Sequence, residues 1–135
     1  MADEADIQQW VLSGHSRGAA IASRTIYNHE APFAGLILIA TNHPKESASS
    51  LANVQIPVSK IYATEDGLAS LAEVVANRSL LPEQTVWIEI EGGNHAQFGY
   101  YGTQLGDNEA TISREAQQTE TAVAILAFLN RVIPE

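Results

Sequence analysis

Cysteine is absent from these 135 residues, which removes any disulfide framework and any thiolate chemistry and favours a reducing, cytoplasmic setting. Basic side chains are scarce: seven Lys and Arg face sixteen Asp and Glu, for a net charge of −9. Nucleic acid and anionic membrane would both repel such a chain, so neither is expected as a partner. No apolar run approaches the roughly 18–20 residues that a membrane-spanning helix needs. The longest, Ala34 to Ala40, has the length of a strand. Met1 to Asp6 is acidic and lacks the basic-then-apolar order of a signal peptide. There is no repeat, no low-complexity stretch and no linker, so residues 1–135 read as one domain. Apolar residues at 45% and charged residues at 17% then describe a globular chain with a core to fill.

What is present is an alternation of short apolar runs and helical patterns, the pattern of a parallel sheet with crossover helices. The runs are Trp10-Val11-Leu12, Leu36 to Ala40, Val58 to Ala63 and Val86 to Glu91. The second is continuous and suits a central strand, whereas the fourth alternates and suits an edge. Helices are expected over Ser16–Asn28, burying Ala20, Ile21 and Ile26, and over Leu68–Leu80, burying Leu68, Leu71, Val74 and Val75 before Pro82. A last helix starts near Ser113 and buries Ala122, Val123, Leu126 and Leu129. Only a short helix, around Ser47 to Ala52, fits between the second and third runs.

Gly14-His15-Ser16-Arg17-Gly18 fits the G-x-S-x-G pattern. A nucleophilic serine needs a sharp, strained strand-to-helix turn, and glycines on either side remove Cβ atoms that would collide there. The N–H after the serine, here that of Arg17, becomes a donor to an oxyanion. The pattern is short, and its position at the one direct passage from strand to helix is what gives it weight. Of the four histidines, His15 lies inside the turn beside the serine, His29 ends a helix, and His43 follows the second strand, where it can line a site. His95, in Gly92-Gly93-Asn94-His95, follows the fourth strand. Loops at the carboxyl ends of parallel strands converge on one crevice, so His95 is the general base for Ser16. The acid should follow the third strand, where Glu65 and Asp66 stand. Asp66, next to Gly67, is preferred and Glu65 is the alternative; either would accept the imidazole N–H. Phe98, Tyr100 and Tyr101 either line the pocket or pack on the last helix.

The order Ser16, Asp66, His95, with Gly14–Gly18 and Gly92–Gly99, makes the chain resemble the α/β-hydrolase superfamily. Within it, the chain is most similar to small lidless hydrolases of the dienelactone-hydrolase kind. The resemblance implies an α/β fold whose four strands equal the family's fifth to eighth, a partial domain without the preceding strands. It implies a serine hydrolase of small esters or related acyl compounds, with no metal or organic cofactor. A non-catalytic hydrolase-like binding module is the alternative. The family's second oxyanion donor lies in the part not found here. Three crossovers of one hand fall on one face, so the other is left to the last helix. The first strand is then expected to be an open edge that pairs with a second copy or an N-terminal segment.

Overall fold

A computed structural model describes residues 6–133. Seven elements carry the fold: β1 (Trp10–His15), α1 (Arg17–Asn28), β2 (Phe33–Ile39), β3 (Val58–Ala63), α2 (Leu71–Ala76), β4 (Val86–Ile90) and α3 (Arg114–Val132). The strands form one parallel sheet in the order β1-β2-β3-β4, so β4 is an edge, as its alternating sequence predicts. The register pairs His15 with Ile39, Ile39 with Ile61, and Ala63 with Ile90. All four strands therefore end at nearly one level, and the loops that follow them open onto the same rim. Among the described residues, no helix is long and apolar enough to cross a membrane.

The continuous run of β2 feeds two cores, because successive side chains leave opposite faces of a strand. Leu36 and Leu38 join Val58, Ala19, Ala22, Ile26 and Leu51 on the α1 side. Ile37 and Ile39 join Ile61, Ala63, Ile90, Ala124 and Phe128 on the α3 side. Among the described residues α3 is the one helix on that second face.

The helix faces differ from the sequence expectation. In α1 the buried positions are Ala19, Ala22, Ser23 and Ile26, an i, i+3, i+4, i+7 stripe, while Ile21 is 61% exposed. The phase is fixed by the turn at Ser16, and small residues on the inner side let the helix approach the sheet. In α3 the buried stripe is Gln117, Thr121, Ala124 and Phe128. Ala122 is exposed and Leu129 half-buried, with Val123 at 62% and Leu126 at 59% on the outer side. Two polar residues take inner positions because each has a partner there: Gln117 holds a loop, described below, and Thr121 Oγ1 donates to the Gln117 carbonyl at 2.8 Å. The expected helix from Leu68 is shorter, and of its predicted stripe only Val74 is buried; Leu71 is half-buried, and Leu68 and Val75 are exposed. Ser70 and Glu73 form a reciprocal cap that starts the helix at Leu71. A tight turn over Arg78–Leu80 ends the segment before Pro82. Between β2 and β3 the expected short helix is a single turn, Ser47–Ser49.

Candidate active site

β1 passes into α1 through Ser16 alone, at φ 55° and ψ −119°. A serine in this sparsely populated region is strained by about 1–3 kcal/mol. Its N–H donates to the Ile39 carbonyl at 2.8 Å, and its carbonyl accepts from Ala20 N–H at 3.1 Å. These bonds hold the turn from both sides. The two glycines of the motif are not equivalent. A Cβ on Gly14 would run into the Gly18 carbonyl and lie 2.6 Å from Ala19 N, whereas one on Gly18 meets nothing within 4 Å. Gly14 is thus required by the close approach of strand and helix, and Gly18 is not. Arg17 begins α1, where an N–H has no acceptor inside the helix.

His95 lies across the rim from Ser16. Its Nδ1 is 2.9 Å from Asp66 Oδ2 and its Nε2 is 2.8 Å from Ser16 Oγ. A carboxylate only accepts, so Nδ1–H donates to Asp66 and Nε2 is left to accept the Ser16 hydroxyl. Both His95 and Asp66 are buried. The other oxygen of Asp66 accepts from Leu68 N–H at 2.8 Å and Ala69 N–H at 2.7 Å, which closes the turn and aims the carboxylate. Glu65 is half-buried and contributes a backbone N–H to the Gly93 carbonyl at 2.8 Å; it is Asp66, of the two acids, that reaches His95. The surrounding pocket, about 220 Å³, is lined by Arg17, Ala40, His43 and Leu68 among others. Ala40, at φ 52°, is a second non-glycine residue in the left-handed region on this rim.

The remaining histidines and aromatics take supporting places. The His15 ring sits 5.1 Å from that of His95 and stacks on Tyr101 at 5.8 Å. Burial, then the neighbouring His95, lowers the pKa of His15, which favours its neutral form. Phe98 packs on the α3-side core and against His15. Tyr100 is exposed under the Arg114 guanidinium. None of these three aromatics lines the Ser16 pocket. His43 does line it, and exposed His29 follows the end of α1.

Three residues that sequence reasoning missed hold the site together. Asp107 accepts from Gly67 N–H at 3.1 Å, His95 N–H at 3.2 Å and Ala96 N–H at 2.9 Å. One carboxylate thereby ties the Asp66 turn to the His95 loop. Gln117, fully buried on α3, accepts from Asn94 N–H at 3.1 Å and donates to the Asn94 carbonyl at 2.7 Å. Lys60 lies within β3 and donates from Nζ to the His43 carbonyl at 2.7 Å. The one signal in the sequence was Lys60 itself, a cation amid an apolar run. Replacing Asp107 by alanine leaves these three N–H groups, and that of Asn108, without their charged acceptor. The expected loss is about 2 kcal/mol, since water reaches this half-buried carboxylate and replaces part of the bonding. Urea unfolding checks it, and an unchanged midpoint would show that Asp107 holds nothing. Among the described residues, no group of three or more His, Asp or Glu is placed to hold a metal ion.

A parallel sheet with a serine on the strand-to-helix turn, and histidine and aspartate on the loops after two further strands, has the architecture of α/β hydrolases. The sequence profile of the alpha/beta hydrolase family matches residues 1–119, and the chain belongs to that family. No curated protein matches it in sequence. Among solved structures, an alpha-beta serine hydrolase homologue from Coxiella burnetii is similar at 22% identity. That match covers 63% of this chain and 40% of that one, with a TM-score of 0.51. A CIB-like hydrolase from Thermoplasma acidophilum is 12% identical over 91% of this chain and 52% of that one, with a TM-score of 0.62. A dienelactone hydrolase-like promiscuous phosphotriesterase from metagenomic libraries is 17% identical over 86% and 50%, with a TM-score of 0.59. At these identities the likeness is one of fold. The chain spans about half the length of these structures, or less.

Proposed function

We propose that the protein is a serine hydrolase of small esters or related acyl compounds. The observation that carries this reading is the unbroken run of hydrogen bonds from Ser16 through His95 to Asp66. Ser16 Oγ attacks the carbonyl carbon while its proton passes to His95 Nε2. The oxyanion accepts from Arg17 N–H. Collapse expels the alcohol, which takes the proton from His95, and the acyl group remains on Ser16. Water then attacks, giving its proton to His95, and the acid departs as the proton returns to Ser16. Asp66 stays ionised throughout and stabilises the imidazolium. The small, open pocket suits a small substrate.

A fluorophosphonate tests the reading on the whole chain, because it phosphonylates an activated serine and needs no known substrate. One label on Ser16 is expected, and none on the Ser16→Ala chain; an unlabelled parent chain would overturn the proposal.

We also propose that β1 takes up a further strand, from a second copy or an N-terminal segment, as a partially covered edge favours. Exposed Trp10 lies on this edge, apolar surface that pairing covers. Sedimentation should show the mass of the chain rising with concentration. A strictly monomeric species at high micromolar concentration would contradict it.

A further inference from the structure

His15 closes β1, in register with Ile39. Side chains two and four residues apart leave the same face of a strand, so His15 stands on the α3 side with Val11, which packs against the core there. Three rings crowd its half-buried imidazole: His95 at 5.1 Å between centroids, Phe98 at 5.8 Å, and Tyr101, nearly parallel, at 5.8 Å. Its Nε2 is buried and has no hydrogen-bond partner among the described residues. A buried nitrogen in that condition costs stability, and on that edge the ring packs without bonding. The charges of His95 and Asp66 both act on it, and the Tyr101 phenol is the further titratable group stacked against it. The mechanism as derived gives this histidine nothing to do, yet it touches the base.

We propose that His15 is a positioning residue for the reaction: its ring, packed against Phe98 and Tyr101, is the wall that holds the tilt of the His95 imidazole. The inference rests on Ser16 being the nucleophile, and it adds a residue to that reading. Bonds to Asp66 and Ser16 fix the two ring nitrogens of His95. Hydrogen-bond angles are broad, however, so the tilt of the ring about the line joining those nitrogens is loosely held. A second ring against it removes that freedom. The need is greatest once the acyl group is on Ser16. Oγ then carries no proton, and His95 keeps only Asp66 while it aims Nε2 at water. The wall is stiff because the sheet fixes the backbone of His15 and two aromatic rings fix its side chain.

Fluorophosphonate labelling at several reagent concentrations separates the maximal rate from the half-saturating concentration. His15→Ala should lower the maximal rate about tenfold, as a base misplaced by less than about 1 Å would, and leave the half-saturating concentration unchanged. His15→Phe keeps a flat ring and gives up no bond at Nε2. It should label within about threefold of the parent, with a rate that rises with pH through the same midpoint. A parent maximal rate in His15→Ala would overturn the proposal, as would a phenylalanine chain as slow as the alanine chain. A midpoint that moves in His15→Phe would also overturn it, since a proton on His15, and not its surface, would then be at work. If urea unfolding shows that His15→Ala does not fold, Tyr101→Leu takes its place. Tyr101 is 47% exposed, and loosening the wall from there should slow labelling about threefold; the parent rate would overturn the proposal. The nucleophile is judged separately: a labelled parent with unaffected variants overturns the role of His15 alone, and an unlabelled parent overturns the hydrolase reading and this role with it.

Discussion

Asp66→Asn should slow the reaction of Ser16 with a fluorophosphonate by about 10⁴-fold while leaving the fold in place. Asparagine keeps a side-chain oxygen where Asp66 accepts from Leu68 and Ala69 N–H, so the turn still closes. Its NH₂ then replaces the oxygen that faces His95 Nδ1. A donor at that place requires Nδ1 to accept, which moves the ring proton to Nε2. Nε2–H then points at Ser16 and can no longer take its proton. The imidazolium also loses the carboxylate that would stabilise it. Timed labelling of the two chains at one pH gives the ratio. A rate within about tenfold of the parent would show that Asp66 does not set the tautomer of His95.

Lys60→Met should stabilise the chain, by an amount that depends on pH. Lys60 is 2% exposed, and burial lowers its pKa from 10.5 to about 7. The folded state therefore resists the charged form. Below about pH 7 the amine is protonated folded and unfolded, and the folded state carries the whole cost, on the order of 5 kcal/mol for that shift. Between about 7 and 10.5 the unfolded chain binds the proton that the folded chain has released, so stability rises with pH across that window. Methionine has no charge to desolvate. It gives up the bond to the His43 carbonyl, worth about 1–2 kcal/mol, and the desolvation term is larger. The net gain expected near pH 6 is on the order of 3 kcal/mol, vanishing toward pH 10. Urea unfolding at both pH values measures it. A variant less stable than the parent near pH 6 would mean that the hydrogen bond outweighs the buried charge.

The strands were legible because a buried parallel strand has little choice of residue. Val58–Ala63 is β3 to the residue, and the apolar start of β1 continues through Gly14 to His15. Ser16, Asp66 and His95 were legible as residues following three strands, and a level parallel sheet brings such loops together. Choosing between Glu65 and Asp66 turns on length: the shorter side chain can bond the N–H groups two and three residues on and still face the histidine. Helix faces were misread where bulk was weighed above phase, as with Ile21, Val123 and Leu126. Gln117 and Asp107 were invisible because their partners lie up to 40 residues away in sequence, and no local pattern marks such a bond.

The backbone of Ser16 sets folding and chemistry against each other. With φ at 55° and ψ at −119°, the position would suit glycine better than any residue with a Cβ. A chain shaped by stability alone would drift to glycine there and lose its hydroxyl. Retaining serine at the least comfortable point of the backbone places this molecule below its attainable stability, a deficit that only a use for the hydroxyl would maintain.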